Sequence, residues 1–419
     1  MNITIYSSRI LLKSIVDFNN VLQTGGRLMA GAKFDVTIGI NGGGRMGKGL
    51  LRLAIAQRLF PKIVLNFGRE VGNGMESIID YILHDTTYGN LDVFCNGMAG
   101  GVFPVEIINE EEGTISINGI HTCIKRTHRD PVRIDWEDAA AVVDTTGKYN
   151  NPLLKVDAKG GSVRGHLEHP SVKKALISSP FKGIENGIPA DAIMMIKGVN
   201  DELYDPNQHS IISGASCTTT ALAAMLNVLL QRLGAQNLLS ITVTSVHAVT
   251  GKETLVDRVP LVEVDDPVLY QAAGNNMFIS TTGAAKALAV VLPEIKDVPQ
   301  MAEAAREPGN TGSLAILTTD WANWPKGSVN NARDFVEEIF YQHSLKADSG
   351  LAYADRKVSR RDIFASPAAV TVAGLDTVIQ PMKYGDTNFT RLRTFGWYDN
   401  EVGYTSRLTE LLKKIVTEL

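Results

Sequence analysis

The sequence predicts an α/β protein, with a doubly wound parallel sheet, a second domain of mixed α/β structure and a helical extension at the N-terminus. Three observations lead to this fold class. Short apolar runs alternate with helical stretches from residue 35 onward, and a glycine-rich turn follows the first of these runs. A strand of β-branched residues follows the long helical stretch after Cys217. Strands that alternate with helices are typical of parallel sheets covered by helices.

The apolar runs place the elements along the chain. Predicted strands lie at residues 36–40, 63–65, 141–143, 174–178, 193–196 and 241–246, and predicted helices at 48–59 and 222–233. The first runs are short and apolar, as expected for buried strands of a parallel sheet. The region up to about residue 393 then reads as a second, mixed domain, and no internal repeat interrupts this order.

The first 34 residues form a separate N-terminal extension. Apolar residues recur there at helical spacing, at Ile10, Leu11, Ile15, Phe18 and Leu22. The pair Gly25-Gly26 ends the pattern, which predicts a helix that packs on the body or on a partner subunit. A cleaved targeting peptide is the alternative. Asp17 inside the helix and the lack of an obvious small-residue cleavage site disfavour it.

Composition limits the function classes. A chain of 419 residues is long enough for two to three domains, and 44% hydrophobic with 21% charged residues is an ordinary globular balance. The net charge of −4 gives no indication of a nucleic-acid partner. Three cysteines cannot form a disulfide framework, and no apolar stretch is long enough to span a membrane. We expect a cytoplasmic protein with no membrane partner and no metal site.

A glycine-rich turn predicts a dinucleotide site. It follows the first predicted strand, precedes a predicted helix and fits the pattern G-x-G-x-x-G with Gly42-Gly43-Gly44-Arg45-Met46-Gly47. Glycines let the backbone approach a pyrophosphate, whose charge is then met by the helix N-terminus. The candidate cofactor-binding residues of this turn are Gly42, Gly44, Arg45, Met46 and Gly47. A purely structural turn is the alternative.

The second strand lacks the acid that usually accompanies this turn. An acid at its tip would bind the adenosine ribose hydroxyls, but Phe67 follows Asn66 there. Glu70 lies beyond the tip of this strand, and it could bind the ribose hydroxyls in place of the missing acid only if the loop bends back. Because an acid repels a 2′-phosphate, its absence leaves NADP open as a cofactor beside NAD.

One cysteine lies in a segment typical of a nucleophile. Cys217 is flanked by hydroxyl residues, follows an apolar strand and opens a long helix, whose N-terminus favours a thiolate. His247 closes the β-branched strand and is a candidate base. The alternatives are a small core cysteine and a structural histidine. Cys95 and Cys123 lack this context, and we interpret them as packing or surface residues.

Several separated motifs together resemble the family of phosphorylating glyceraldehyde-3-phosphate dehydrogenases. They follow the family's order and comprise residues 40–47, Ser178-Ser179-Pro180, Gly198-Val199-Asn200, Ala215-Ser216-Cys217-Thr218-Thr219, Val246-His247, residues 281–286 and Trp397-Tyr398-Asp399-Asn400-Glu401. The cysteine motif and the last motif are highly specific, and the resemblance covers residues 35–417. It implies a Rossmann NAD(P)-binding domain at 35–216, completed by 394–419, a catalytic domain at 217–393 and a homotetramer.

The resemblance also implies a role for each matched residue. Cys217 is the nucleophile that forms a thiohemiacetal and then a thioester, and His247 is the base that also holds the developing oxyanion. The other cofactor positions are Thr146, Gly147, Ser178 and Asn400, the last of which matches the asparagine that orients the nicotinamide amide. The family's pocket for the attacking inorganic phosphate is matched by Ser216, Thr218, Thr282 and Gly283. Its site for the substrate's own phosphate is matched by Thr250 and Arg306.

Departures from the family pattern bear on substrate and cofactor. Gln271 stands where an arginine usually binds phosphate, and Lys252 stands where an aspartate usually follows Thr250. Lys252 could restore the lost charge, although without the planar fork of an arginine. Arg258 replaces part of a Leu-Pro pair that reaches towards the adenosine of a neighbouring subunit. Phe67 and Arg258 together predict tolerance of, or preference for, NADP.

Three functions follow in order of preference. The first is reversible oxidation of glyceraldehyde 3-phosphate to 1,3-bisphosphoglycerate with NAD or NADP and inorganic phosphate, in a glycolytic or gluconeogenic direction. The second is the same chemistry on another phosphorylated aldehyde such as erythrose 4-phosphate. The third is a dinucleotide-binding protein without catalysis, which the intact Cys217, His247, Arg306 and Asn400 disfavour.

Overall fold

The computed structural model describes residues 32–97, 103–251, 253–260, 267–280, 282–325 and 331–419. The described residues divide into two compact units. The first contains residues up to 195, residues 201–215 and residues 408–419, and the second contains residues 196–200 and 216–407. The predicted helix in the N-terminal extension lies outside the described residues. The predicted domain boundaries at 34, 216 and 393 stay predictions.

The first unit contains one sheet of nine strands within its described residues. The strands are β1 (Thr37–Asn41), β2 (Lys62–Asn66), β3 (Val105–Asn109), β4 (Thr114–Ile117), β5 (Ile120–Lys125), β6 (Ala141–Asp144), β7 (Lys174–Ile177), β8 (Ala192–Met194) and β9 (Ile211–Ser213). The α-helices are Arg45–Ala56, Met75–Leu83 and Leu91–Asn96, and the 3₁₀ helices are Pro131–Arg133, Val163–Glu168 and Asp201–Leu203.

The order of these strands places the glycine-rich turn at the centre of the sheet. The order is β3-β4-β5-β2-β1-β6-β7-β9-β8, and the strands from β5 to β8 are parallel. The chain proceeds from β1 to one side and returns to β6 on the other, which makes the carboxyl ends of β1 and β6 a topological switch point. Ligands of doubly wound sheets bind at such points. The predicted parallel sheet is confirmed.

The second unit contains a mixed sheet of eight strands within its described residues. The strands are β10 (Leu238–Ala248), β11 (Phe278–Ser280), β12 (Gln300–Glu307), β13 (Ser313–Trp321), β14 (Leu351–Ala354), β15 (Val370–Ala373), β16 (Val378–Tyr384) and β17 (Thr387–Tyr398). The α-helices are Cys217–Leu233, Ala284–Val291, Ala332–Val336 and Gln342–Ser344, with a π-helical segment at Glu337–Tyr341. The last helix, Val402–Thr417, continues into the first unit from Leu408.

The strand β10, which contains His247, lies in the interior of the mixed sheet. β10 pairs in parallel with β12 and antiparallel with β13, and alternate residues of β10 are buried. The helix Cys217–Leu233 is buried along almost its whole length, with Leu222, Met225 and Leu229 fully enclosed. A helix that is apolar on most sides is a core element rather than a surface one.

Two helices begin earlier than their apolar periodicity indicates. The predicted helix at 48–59 spans Arg45–Ala56, because it starts directly after Gly44. It is followed by Arg58, whose φ of +49° is in the left-handed region. The predicted helix at 222–233 starts at Cys217, because Ser216 caps it and its first turn is made of threonines. Threonines are weak helix formers that give no apolar signal.

The described residues contain no helix that is long and apolar enough to cross a membrane. The same part of the chain holds no group of three or more His, Cys, Asp or Glu side chains placed to hold a metal ion. Cys95 and Cys123 are both buried, in agreement with their interpretation as packing residues.

The glycine-rich turn gives a test of the fold. A Cβ at Gly47 would lie 1.8 Å from the Gly42 carbonyl oxygen, whereas a Cβ at Gly44 meets nothing within 4 Å. We expect Gly47→Ala to lower the thermal midpoint by about 2 °C or more, because the helix must move away from the turn. Gly44→Ala is the matched control and should keep the parent midpoint. Equal midpoints for both variants would contradict this packing.

Candidate active site

Cys217 is the first residue of its helix, as predicted. The preceding Ser216 is the N-cap, and its Oγ accepts a hydrogen bond from the Thr219 backbone N–H at 3.1 Å. Two positions before Cys217 in the chain, Ala215 has a φ of +55°, which is rare for a residue with a Cβ. Such backbone strain is often found at functional sites.

The thiol of Cys217 lies against the imidazole of His247. Sγ is 3.3 Å from Nε2, and Nδ1 is 2.6 Å from the Ala248 carbonyl oxygen. A carbonyl oxygen can only accept, so Nδ1 carries the proton of the neutral imidazole and Nε2 presents its lone pair to the thiol. The structure therefore joins the predicted nucleophile and base in the orientation that proton transfer requires.

Burial favours the neutral form of both members of this pair. It raises the pKa of the Cys217 thiol, although the Thr218 hydroxyl, the Arg306 charge and two backbone amides act in the opposite direction. Burial, together with the Arg306 charge, also lowers the pKa of His247 to about 4. The helix N-terminus alone predicts a stabilised thiolate. Desolvation opposes that effect, so charge separation depends on a ligand that compensates it.

Tyr398 connects the neighbours of the reactive pair. Its hydroxyl is 2.9 Å from Thr218 Oγ1 and 3.3 Å from Ser245 Oγ, and its ring meets the His247 ring edge to face at 6.1 Å. The residue is almost fully buried, and burial raises the pKa of its hydroxyl well above the usual range. Tyr398 therefore acts as a neutral hydrogen-bonding group that fixes the Thr218 side chain.

Arg306 and Thr250, the predicted ligands of the substrate phosphate, are joined by a third residue. Glu253 Oε1 is 3.1 Å from Arg306 Nε, while Glu253 Oε2 accepts hydrogen bonds from the Thr250 amide at 2.7 Å and the Thr250 hydroxyl at 2.6 Å. Arg306 stands opposite His247 in the parallel register of β12 and β10. Its Nη1 is buried without a hydrogen-bond partner in the described part of the chain, and this donor could bind an anion.

The other predicted phosphate ligands make local contacts. Thr282 Oγ1 accepts a hydrogen bond from the Ala284 amide, and Gly283 is the exposed residue before the helix Ala284–Val291. Gly283 is the N-cap of this helix, and the Thr282 hydroxyl contacts its first residue from the preceding position. Ser216 is likewise engaged as a cap. Thr218 is the one among them whose contacts lead to the reactive pair, with its Oγ1 4.0 Å from Cys217 Sγ.

Asn400 is held rigidly by its amide oxygen. Oδ1 accepts hydrogen bonds from the Gly312 amide at 3.0 Å and the Ser313 hydroxyl at 3.1 Å, with the Thr311 hydroxyl at 3.5 Å. Asp399 next to it caps the start of the last helix through the Val402 amide. These contacts fix the Asn400 amide plane, as a residue that orients a ligand requires.

The glycine-rich turn fits a diphosphate. The helix Arg45–Ala56 has no side-chain cap and no acidic residue in its first turn, so its N-terminal amides face no carboxylate of their own. Open space above Gly44 allows a ligand to approach the backbone. Arg45 is ion-paired with Asp85 at 2.6 Å. These features are those that a dinucleotide pyrophosphate requires.

The remaining cofactor candidates line the same edge of the sheet. Thr146 and Gly147 follow β6, and Ser178 follows β7. The Thr146 hydroxyl donates to Asp144 at 2.6 Å, and Gly147 has a φ of +66° with open space around its Cα. Because parallel strands end at one edge, these residues lie beside the turn that follows β1. The structure thus brings together the cofactor candidates of the first unit.

An aromatic ring and two arginines surround the tip of β2. The Phe67 ring packs on the turn, 2.2 Å from the position of a Cβ at Gly43. Glu70 forms an ion pair with Arg126 at 3.0 Å instead of bending back towards the turn. Arg129 Nε donates to the Gly68 carbonyl at 3.3 Å. The tip therefore presents an apolar ring and cations where a carboxylate would bind ribose hydroxyls.

Sequence reasoning missed two residues of the site. Glu253 follows Thr250 by three positions, and this T-x-x-E spacing is a capping-box signal that could have revealed the local contact. The ion pair with Arg306 could not be foreseen, since 53 positions separate the two residues in the sequence. The motif that contains Tyr398 indicates no role for its hydroxyl. Its polar role emerges from contacts with Thr218 and Ser245.

Comparison with known proteins gives a consistent result. The family model of the glyceraldehyde 3-phosphate dehydrogenase C-terminal domain matches residues 216–400. Glyceraldehyde-3-phosphate dehydrogenase 2 from Streptomyces arenae is 31% identical to this chain, over 92% of the chain and 99% of the relative. Glyceraldehyde-3-phosphate dehydrogenase 2 from Bacillus subtilis (strain 168) is 28% identical, over 92% of the chain and 98% of the relative.

An oxidoreductase that uses a nicotinamide dinucleotide is therefore the class of protein to which these features point. The chain belongs to the glyceraldehyde-3-phosphate dehydrogenase family. The family is one of oxidoreductases that use a nicotinamide dinucleotide, and the predicted family resemblance is confirmed.

The charges around Cys217 predict its reactivity. Because the Arg306 cation lowers the pKa of the thiol, Arg306→Gln should raise that pKa and slow alkylation by iodoacetamide at pH 7.5 by about threefold or more. Alkylation of the parent protein should accelerate as pH rises through 9. Arg393→Gln is the matched control, since Arg393 lies exposed on β17, and it should keep the parent rate.

Burial raises the pKa of Cys95 to about 12 and also raises the pKa of Cys123, so neither should contribute to the signal. Cys217→Ser should abolish the labelling. An alkylation rate that Arg306→Gln leaves unchanged would show that its charge does not act on the thiol.

Proposed function

We propose that this protein oxidises glyceraldehyde 3-phosphate to 1,3-bisphosphoglycerate, reversibly, with NAD or NADP and inorganic phosphate. The observation that carries the proposal is the 3.3 Å contact between Cys217 Sγ and His247 Nε2, with Nδ1 fixed on the Ala248 carbonyl. Membership of the family supports the same chemistry. The family resemblance also implies a homotetramer, and the composition predicts a cytoplasmic location; we include both in the proposal.

The reaction begins with proton transfer within the reactive pair. His247 Nε2 takes the proton of the Cys217 thiol, and the thiolate attacks the aldehyde carbon to form a C–S bond. The carbonyl oxygen takes the electron pair of the C=O bond, and the imidazolium then donates its proton to that oxygen. The neutral resting state of the pair requires that both charges form together near the substrate.

The second step converts the thiohemiacetal into a thioester. A nicotinamide dinucleotide supplies the hydride acceptor when it is bound. His247 takes the hydroxyl proton again, which lets the carbonyl reform on the carbon attached to Cys217. In this proposal Asn400 orients the nicotinamide amide, and the residues after β1, β6 and β7 hold the remainder of the dinucleotide.

Inorganic phosphate completes the cycle by attacking the thioester carbon. The C–S bond breaks, the Cys217 thiolate leaves and the acyl phosphate forms. Thr218, fixed by the Tyr398 hydroxyl, is the donor that we assign to the attacking phosphate, together with Ser216, Thr282 and Gly283. Arg306 and Thr250 hold the substrate's own phosphate, since cations and hydroxyls are preferred phosphate ligands.

Erythrose 4-phosphate with the same chemistry is the second candidate. Gln271 favours it, because it is an exposed amide where the family usually has a phosphate-binding arginine. Lys252, which could compensate, lies outside the described residues, as does Thr281. A panel of phosphorylated aldehydes at equal concentration distinguishes the two substrates by kcat/KM. The alternative without catalysis predicts no turnover of either.

The proposed function predicts turnover that depends on phosphate. Initial rates of NAD and NADP reduction with glyceraldehyde 3-phosphate should rise on addition of inorganic phosphate. Cys217→Ser should lower kcat by at least about a thousandfold while dinucleotide binding persists. Cys123→Ser, which changes a buried cysteine of the other unit, should keep the parent rate. Parent turnover by Cys217→Ser would refute the mechanism.

The tip of β2 predicts the cofactor preference. We propose that Phe67 permits NADP, and that Arg126 and Arg129 favour its 2′-phosphate, with Arg258 as a contact implied by resemblance. Phe67→Asp should lower the ratio of kcat/KM for NADP over NAD by about tenfold or more, since the new carboxylate binds ribose hydroxyls and repels the phosphate. Glu106→Gln, which changes an exposed acid on the edge strand β3, should leave the ratio unchanged. A parent protein that binds NAD tenfold more tightly than NADP would contradict the proposal.

A further inference from the structure

We propose that Glu253 positions Arg306 and Thr250 for the substrate's own phosphate. The proposal rests on the function given above and adds a residue outside the motifs that carry the family resemblance. It concerns one departure from the family pattern, at the position of Lys252. The family's aspartate two positions after Thr250 is replaced by Lys252, and an acid stands at the next position instead.

The two oxygens of the Glu253 carboxylate contact different residues. Oε2 accepts both the amide and the hydroxyl of Thr250, while Oε1 faces Arg306 Nε at 3.1 Å. Both side chains are therefore oriented by one group. The Glu253 side chain is 1% exposed, so water does not compete for these contacts, and the Arg306 side chain retains 18% exposure. A buried carboxylate that leaves its cation partly open is suited to present that cation to a ligand.

The geometry gives Arg306 one occupied and one available side. Nε lies 3.1 Å from Glu253 Oε1 in an ion pair that lacks hydrogen-bond alignment, and Nη1 has no hydrogen-bond partner in the described part of the chain. A phosphate ester could take that donor, because a guanidinium can bind two acceptors along different edges. The charge of Glu253 also acts on His247, whose pKa it raises against the larger effect of burial. Glu253 is thus a positioning residue that also influences the base.

Glutamine cannot replace this carboxylate. Its single amide oxygen can accept either from Thr250 or from Arg306, and its amide nitrogen then faces a donor on the other side. Glu253→Gln should therefore release one of the two phosphate ligands. The expected result is a KM for glyceraldehyde 3-phosphate raised about tenfold or more, with kcat changed much less.

The experiment compares ligands with and without a phosphate. KM and kcat are measured for glyceraldehyde 3-phosphate and for unphosphorylated glyceraldehyde, and calorimetry gives the Kd of the unreactive analogue glycerol 3-phosphate. Glu303→Gln is the matched control, because it removes an exposed acid from the same strand β12. Glu303 accepts a hydrogen bond from Thr244, three positions along the ladder from His247 and Arg306. Circular dichroism and the thermal midpoint show that each variant is folded.

The expected outcome is weaker binding of both phosphate-bearing ligands by Glu253→Gln only, with a much smaller effect on glyceraldehyde. An equal loss on glyceraldehyde would overturn the proposal, since Glu253 would then support the whole site. Tighter binding of glycerol 3-phosphate would also overturn it, because Glu253 would then repel the phosphate. Unchanged binding, or no binding by the parent protein, overturns it as well.

Failure of the proposed function gives a different result. If the parent protein does not oxidise glyceraldehyde 3-phosphate but Glu253→Gln weakens its binding of glycerol 3-phosphate, the phosphate site stands and the substrate is another phosphorylated aldehyde. Should Glu253→Gln fail to fold, Glu253→Asp provides the same comparison. Its carboxylate keeps the charge but is one methylene too short to reach both partners, so it should weaken the same two ligands.

Discussion

The register between β10 and β12 is the constraint on which the reactive centre depends. It places His247 opposite Arg306, and the end of β10 is also where the imidazole meets the first residue of the buried helix Cys217–Leu233. A shift of one residue would turn both side chains to the other face of the sheet. The antiparallel pairing of β10 with β13 fixes the same register from the other side, so the base cannot move independently of the sheet.

Burial affects the stability of charge on both Cys217 and His247. Desolvation acts against both the thiolate and the imidazolium, and the Arg306 cation aids the first while opposing the second. Burial therefore favours the neutral form of both members of the pair. The same low polarity makes each fixed dipole effective, including the Thr218 hydroxyl held by Tyr398. A neutral resting thiol is also less exposed to adventitious oxidation.

Local signals explain how much of this could be predicted from the sequence. The glycine turn, Cys217 at the start of its helix and the strand that ends in His247 were predicted because each depends on neighbours in sequence. The contact of Phe67 with the turn and the ion pair of Glu253 with Arg306 depend on strand order and register. These are long-range properties that no local pattern encodes. The first turn of the Cys217 helix lacked a periodic signal because its threonines are buried polar residues.

The two anion sites of the proposal use different electrostatics. At the glycine turn, an uncapped helix N-terminus without acidic residues attracts a diphosphate through its amides. At Arg306, the buried Glu253 carboxylate opposes the charge of the cation, so net attraction is smaller than at an unpaired arginine. Binding there depends on the directions of the Arg306 and Thr250 donors, which Glu253 sets. A site that relies on direction rather than charge favours an ester phosphate at the correct distance from the aldehyde over free anions. That preference would keep inorganic phosphate from occupying the substrate's phosphate site while it attacks at the other.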